Sequence, residues 1–224
     1  MQTTSVVPGS QGRDISYQIL TEDNLKSAVE CISNTFYLGE PMTKALGITL
    51  KEFKHFTGIL AKKAIINKLS VVAIDNITRK VVGVLIAEDF MTEPPTSIKT
   101  VSPKFLPMFE VIGTLDAKYR AKYPVKLGEL YHLLMVGVYR EYAGLSVPLT
   151  RTAEIIARSK GYVAAIGETT NPIAYKIYTK RLGFKDVEGV EPITYASFKY
   201  SGKRIFADIS DCISCQIIRK DYRV

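Results

Sequence analysis

No apolar run in this 224-residue sequence approaches the length a helix needs to cross a bilayer, and no membrane partner is expected. Cysteine is scarce, with three residues, and histidine scarcer, with two. Three cysteines do not build a disulfide scaffold and fit a reducing, cytoplasmic setting. Cys212 and Cys215 form a C-x-x-C, yet there is no second pair. Only His55 and His132 are left to complete a tetrad, so no metal is expected. Cys31 falls inside a helical pattern and reads as core. A long basic run is also missing. The net charge is +8, but lysine and arginine come in short pairs such as Lys62-Lys63, Lys180-Arg181 and Arg219-Lys220. Without an aromatic-interleaved stripe or finger spacing, a nucleic-acid partner is not expected, and a small anionic ligand accounts for the charge as well. Internal repeats, low-complexity tracts and a clear linker are absent too. Met1 to Arg13 is rich in Ser, Thr, Gly and Gln and has no apolar core, which excludes a signal peptide there and predicts a mobile tail.

What remains is an ordinary globular balance, 46% hydrophobic and 23% charged. It predicts one domain over 14–224 with a helical insertion at about 91–128. Ile15 to Leu20 reads as a strand. Thr21 then caps a helix whose Leu25, Ala28, Val29, Ile32 and Phe36 recur at helical spacing, with Glu22 and Asp23 in its first turn. A loop is expected over Tyr37 to Met42 and a second helix from Thr49 to Asn67. Leu69–Ile74 and Val81–Glu88, separated by a polar turn, make a hairpin. Met91 to Ser102 reads as loop and Pro103 to Tyr123 as mostly helix. An apolar strand, Leu130 to Val138, runs through Glu141-Tyr142-Ala143-Gly144-Leu145-Ser146 into a helix that Gly161 ends. A buried strand over Val163 to Gly167 precedes Asn171-Pro172-Ile173-Ala174, which starts a helix passing Tyr175 and Tyr178 and stopping at Gly183-Phe184. Strands are expected over Phe184–Val190, Ile193–Tyr200 and Ile213–Lys220. Alternating helices and strands with hairpins at both ends indicate an α/β fold on a mixed sheet.

Two segments carry chemistry. At Glu141 to Ser146, Gly144 allows the backbone close to an anion, and free N–H groups at a helix start suit a pyrophosphate. Pro148 lies in the first turn, where its missing donor costs no intrahelical bond. The alternative is a plain strand–turn–helix connection with Ser146 as N-cap. At Asn171-Pro172, the plain reading is an N-cap with proline at the first helical position, and Tyr175 and Tyr178 as packing aromatics.

Taken together, the spacing resembles the GNAT superfamily of acetyl-CoA-dependent N-acetyltransferases. In that family a fourth strand is followed by Arg/Gln-x-x-Gly-x-Gly/Ala, and a later Asn-x-x-Ala helix carries a Tyr and ends in Gly-Phe. Gly144 sits eight residues after Val136, and Asn171, Ala174 and Tyr178 keep the family spacing. The match covers about 55 residues well and the order of elements loosely. Upstream, Phe36 to Gly47, containing Glu40-Pro41-Met42, is similar to the Glu-Pro-Leu segment of insect-type arylalkylamine N-acetyltransferases. The sequence departs from the pattern at three places. Glu141 stands at the Arg/Gln position, with Arg140 beside it; Ser146 replaces Gly/Ala; and one extra residue lies between Tyr178 and Gly183. Either the helix end is bulged or Thr179 takes the Tyr register.

The resemblance implies a GNAT fold, a central mixed and largely antiparallel splayed sheet flanked by helices. It implies acetyl-CoA as cosubstrate, pantetheine along Leu134, Met135 and Val136, and pyrophosphate on Glu141, Tyr142, Ala143, Gly144, Leu145 and Ser146. Asn171, Ala174 and Tyr175 complete the expected cofactor contacts. It gives Glu40 as general base for a primary amine and Tyr178 as the acid that protonates the thiolate; His132 and Glu129, at the start of the same strand, are alternative bases by their position. The acceptor is a small molecule such as an arylalkylamine or polyamine, and the protein a monomer or homodimer. A protein amino group as acceptor, or a CoA-binding module with little catalysis, are the other readings.

Overall fold

The computed structural model describes residues 13–210 and 212–222. Apart from Arg13, the expected tail of Met1 to Arg13 lies outside them. Strand β1 (Ile15–Ile19) leads to helix α1 (Glu22–Gly39), where the Asn24 side chain accepts from the Thr21 N–H at 3.0 Å. Ala28, Cys31 and Ile32 form its buried face, as the spacing requires. The expected loop over 37–42 is instead the last turn of α1 followed by a short helix, α2 (Pro41–Ala45). Glu40 makes this possible. It ends one helix and caps the next, accepting from the Met42 N–H at 3.2 Å and from Thr43.

Helix α3 (Leu50–Asn67) begins at a reciprocal Thr49–Glu52 capping box, with N–H to side-chain distances of 3.2 and 2.7 Å. Its Phe53 and Phe56 meet Phe105 and Phe109, with the Phe56 and Phe105 centroids 4.9 Å apart. Strands β2 (Val71–Asp75) and β3 (Lys80–Asp89) form the expected hairpin. The loop after β3 contains a 3-10 turn over Thr96–Thr100. A second, at Pro103–Phe105, leads into α4 (Leu106–Lys122), the body of the insertion.

Strand β4 (Leu130–Val138), helix α5 (Ser146–Ser159), strand β5 (Ala164–Thr169) and helix α6 (Pro172–Arg181) follow. Of the three strands expected after α6, the first two are mostly turn. β6 (Lys185–Asp186) and β7 (Ile193–Thr194) have two residues each, and only β8 (Ser214–Asp221) is long. β6 is the charged pair Lys185–Asp186, with no β-branched or aromatic residue to fill a pleated face.

The strands form one sheet in the order β1-β2-β3-β4-β5-β8-β6, with β7 beside β8. All pairs are antiparallel except β4 with β5. One face packs under α1, α3 and α4 through residues such as Ile32, Phe53, Leu115, Ile86 and Ile166. The other packs on α5 and α6 through Leu133, Leu149, Tyr178 and Phe184. Each fully buried Leu or Ile contributes on the order of 1.5–3 kcal/mol by leaving water. Helix α1 lies close on β4. A Cβ on Gly137 would stand 2.1 Å from Thr35 Oγ1, so glycine there sets the helix height over the sheet. Among the described residues no helix is long and apolar enough to cross a membrane.

Candidate functional site

Strand β4 pairs with β5 only from Leu130 to His132, opposite Ala164 to Ile166. Beyond that the parallel ladder stops while both strands run on. A register shift explains the parting. Ile86 faces Met135 and Ala87 faces Leu133, so Leu134 is an extra residue in β4 opposite β3. Such a bulge bends the strand that carries it. The result is a splay whose β4 edge presents Leu134, Met135 and Val136, the residues expected along a pantetheine arm.

The far end of β4 turns through a 3-10 segment, Arg140–Tyr142, into α5. Gly144 holds φ +99, a backbone region that favours glycine, and no atom lies within 4 Å of where its Cβ would be. Ser146 is the first helical residue rather than the N-cap. Leu145 takes the cap position, and no side chain caps the helix. The serine hydroxyl thus does not cap the free N–H groups, as the plain connection with Ser146 at the N-cap would have it. The N–H groups of Ser146 and Val147 therefore point out of a 14-residue helix, at the positive end of its dipole. Glu141 is exposed, and its carbonyl accepts from Arg13, whose guanidinium lies 4.4 Å over the Tyr142 ring. The Tyr142 hydroxyl donates to Asp75 at 2.7 Å, which pins the turn to the β2–β3 hairpin. A basic group at this turn comes from the chain before β1, not from the Arg/Gln position of the family motif.

Asn171 caps α6, its Oδ1 accepting from the Ala174 N–H at 2.8 Å. Tyr175 donates to Asp186 at 2.9 Å. Tyr178 points into the layer between α5 and α6. There it meets the edge of Phe184 at 5.1 Å and lies 3.5 Å from Thr150 Oγ1. Burial raises the phenol well above its usual value. The extra residue is absorbed in the helix end: the Phe184 N–H reaches back six residues to the Tyr178 carbonyl, and Gly183 takes φ +80. Thr179 does not replace Tyr178, since its hydroxyl bonds the Tyr175 carbonyl.

Glu40 lies across the sheet from Tyr178, under α1 and α2, and is 4% exposed. Burial raises its carboxyl against the pull of the Thr43 and Met42 N–H groups, and the Thr170 side chain also hydrogen-bonds it. Thr170 follows β5 directly, and its carbonyl accepts from the Tyr195 hydroxyl at 3.0 Å. So α1, held at its height by Gly137, delivers Glu40 to the end of the strand that borders the splay. The structure brings Glu40 to this end of the sheet and leaves Tyr178 in the opposite layer.

Sequence reasoning named His132 as an alternative base but missed the two carboxyls that meet it on the Glu40 face. His132 of β4 meets Glu168 of β5 at 2.9 Å, with side chains 6% and 5% exposed. Asp116 of α4 completes the set, the three contributing atoms within 4.8 Å of one another. Burial and then the neighbouring Glu168 push Asp116 up to about 8. Burial works against a charged imidazole, but Glu168 overcomes it and raises His132 to about 9. The same contact holds Glu168 below its ordinary value despite burial. The imidazole Nε2 is engaged by Glu168 Oε2, while Glu168 Oε1 and Asp116 Oδ1 are buried without a hydrogen-bond partner among the described residues, a donor set that can share a proton or hold a cation. Glu168 was legible only as a polar break after Val163–Gly167.

No protein-family model matches the sequence, and no curated protein matches it. Solved structures do. The C-terminal condensation domain of Ebony, determined with β-alanyl-dopamine, superposes with a TM-score of 0.82 at 18% identity, over 93% of this chain and 99% of that one. A putative arylalkylamine N-acetyltransferase 7 from the yellow fever mosquito Aedes aegypti gives 0.73 at 21% identity, over 92% and 87%. A Drosophila melanogaster polyamine N-acetyltransferase, which catalyses the formation of N-acetylagmatine, gives 0.74 at 16% identity, over 93% and 100%.

Proposed function

From the GNAT acetyltransferase fold of this chain, we propose that it transfers an acetyl group from acetyl-CoA to a primary amine by direct attack on the thioester. One observation carries the proposal: the bulge at Leu134 opens β4 away from β5, and the same strand ends at the uncapped start of α5. An extended arm with amide groups fits the first feature and a pyrophosphate fits the second. Leu134, Met135 and Val136 are assigned to pantetheine. Glu141, Tyr142, Ala143, Gly144, Leu145 and Ser146 are assigned to pyrophosphate, chiefly through main-chain N–H groups. Asn171 acts by capping α6, which sets the position of Ala174 and Tyr175 beside the cofactor.

Glu40 is the proposed base. Its raised carboxyl binds a proton closer to neutral pH than an exposed glutamate does, as a base for an ammonium substrate requires. The amine nitrogen attacks the thioester carbon, a β4 N–H near Val136 holds the oxyanion, and the C–S bond breaks as the carbonyl re-forms. The resemblance to the acetyltransferases implies the Tyr178 hydroxyl as donor to the thiolate. From its present layer against Thr150, it serves only if α6 shifts toward the splay when acetyl-CoA binds. A small acceptor such as an arylalkylamine or a polyamine is favoured over a protein amino group because Glu40 is enclosed.

The deciding experiment is thermal denaturation with acetyl-CoA, CoA and ATP. Stabilisation by the first two and not by ATP is expected, since a ligand that binds only the folded state raises its melting temperature. A panel of arylalkylamines and polyamines with thiol release as readout then identifies the acceptor. Absence of any shift at millimolar acetyl-CoA removes the proposal.

A further inference from the structure

Acetylation of an ammonium substrate leaves a proton over. The nitrogen loses two protons in becoming an amide, the departing thiolate takes back one, and the second must leave the site. Glu40 alone is a poor exit. It is 4% exposed and its carboxylate is already committed to the start of α2 and to Thr170. The polar cluster of Asp116, His132 and Glu168 stands on the same face of the sheet. Glu168 lies two residues before Thr170, the residue that follows β5 and hydrogen-bonds Glu40. The buried Cys215 thiol, on the neighbouring strand β8, feels the charge of both Glu168 and Glu40.

Inside the cluster, Glu168 Oε1 and Asp116 Oδ1 are both buried, and no hydrogen-bond partner for either is found among the described residues. A single proton between the two carboxyls satisfies both oxygens, with Asp116 donating. The Glu168 side chain is enclosed, so the partial exposure of that residue belongs to its main chain, along the splay. Asp116 is half-buried at the surface of α4. The cluster therefore runs from the border of the splay to the outside of the insertion helix.

We propose that Asp116, His132 and Glu168 form a proton relay that receives the surplus proton from Glu40 by way of Thr170 and passes it to solvent at Asp116. This rests on the acetyl-transfer reading above. In each turnover Glu40 takes the proton from the nitrogen, Glu168 accepts it in turn, and Asp116 releases its own to water, so the cluster ends with the protons it began with. The groups that set its charge come from the neighbouring elements: Glu88 of β3, itself paired with Lys63 of α3 at 2.5 Å, Arg120 of α4 and the Cys215 thiol of β8. The apolar wall is Phe90, whose ring meets His132 edge-on at 5.1 Å. Asp116, His132 and Glu168 act through Glu40 and are positioning residues, not groups that touch the amine.

Asp116→Asn tests this without emptying the site, because the amide still donates to Glu168 but cannot titrate. Steady-state thiol release across pH 6 to 10, with acetyl-CoA and the best amine of the panel, is compared with the wild type. The expected result is a kcat about tenfold lower at neutral pH, less than the ~10²–10⁴-fold loss of a primary base. The KM for acetyl-CoA stays unchanged, and the ionisation near pH 8 disappears from the profile. Glu168→Gln should behave alike, with circular dichroism confirming its fold. Superposable wild-type and Asp116→Asn profiles overturn the relay while leaving acetyl transfer intact. A wild type that neither binds acetyl-CoA nor releases thiol removes the functional reading itself. Thermal stabilisation by zinc ions that is lost in His132→Ala also overturns the relay, by making the cluster a cation site.

Discussion

Glu40 and Tyr178 are both buried polar side chains, 4% and 8% exposed, yet their surroundings differ in kind. Glu40 sits among Met42, Thr43 and Thr170, with the His132 cluster beyond, so a charge there has donors on several sides. Tyr178 has one long contact to Thr150 and an aromatic edge from Phe184. Burial raises both groups, but the consequence is opposite. A raised carboxyl is a better base near neutrality, whereas a raised phenol holds its proton more tightly and is a weaker acid. Connection to other polar groups, rather than burial alone, separates a proton-transfer site from a packed core.

The contrast is broken most severely at Glu40. Glu40→Gln retains an oxygen for the cap but loses the base, and kcat is expected to fall about 10²-fold at neutral pH and less at high pH. An unchanged pH–rate profile in stopped thiol assays removes Glu40 from the chemistry. Next in size, Gly144→Val places a branched side chain where the backbone requires φ +99 and where an anion should approach. Acetyl-CoA affinity, read by calorimetry, should weaken about tenfold or more, with backbone strain on the order of 1–2 kcal/mol.

The polar cluster bears on stability as well as turnover. Asp116, raised to about 8 from 3.8, and His132, raised to about 9 from 6.5, both bind protons more tightly in the folded state. Their contribution is full below the unfolded values and is lost as pH rises through the folded ones. The two windows overlap between pH 6.5 and 8, where the melting temperature should fall most steeply. Each kcal/mol corresponds to about 2–4 °C at this chain length. Asp116→Asn should flatten that slope, and calorimetry at matched ionic strength measures it. Smallest of all, Tyr178→Phe is expected to change kcat by less than about threefold and stability by under about 1 kcal/mol, since a hydroxyl contact at 3.5 Å is at the limit of a hydrogen bond. A large loss of turnover with intact acetyl-CoA binding would instead show that α6 moves and that Tyr178 is the acid.

Much of the frame was legible from local chemistry. Thr49 with Glu52 announces a helix start, Asn171 with Pro172 announces another, and the spacing of Ala28 and Ile32 fixes the inner face of α1. Gly144 at its separation from Val136 located the turn. Glu40 was found through likeness to a family segment, while its role as cap of α2 was not, because Tyr37 to Met42 carries no helical periodicity. The bulge at Leu134 is silent in an unbroken apolar strand, since inserting one more apolar residue leaves the pattern unchanged. Glu168 was passed over because Glu-Thr-Thr after a buried strand looks like a loop. Asp116 could not be joined to it from sequence, being 52 positions away and placed only by how α4 docks on the sheet.

The bulge at Leu134 has a consequence for how the sheet breathes. Residues beyond His132 lose their partner on the β5 side, so part of β4 is an unpaired edge inside an eight-stranded sheet. Amides there should exchange with deuterium faster than those of Leu130 to His132 on the same strand. Protection should return when a ligand with peptide-like groups occupies the gap, completing the ladder as a ninth, non-protein strand.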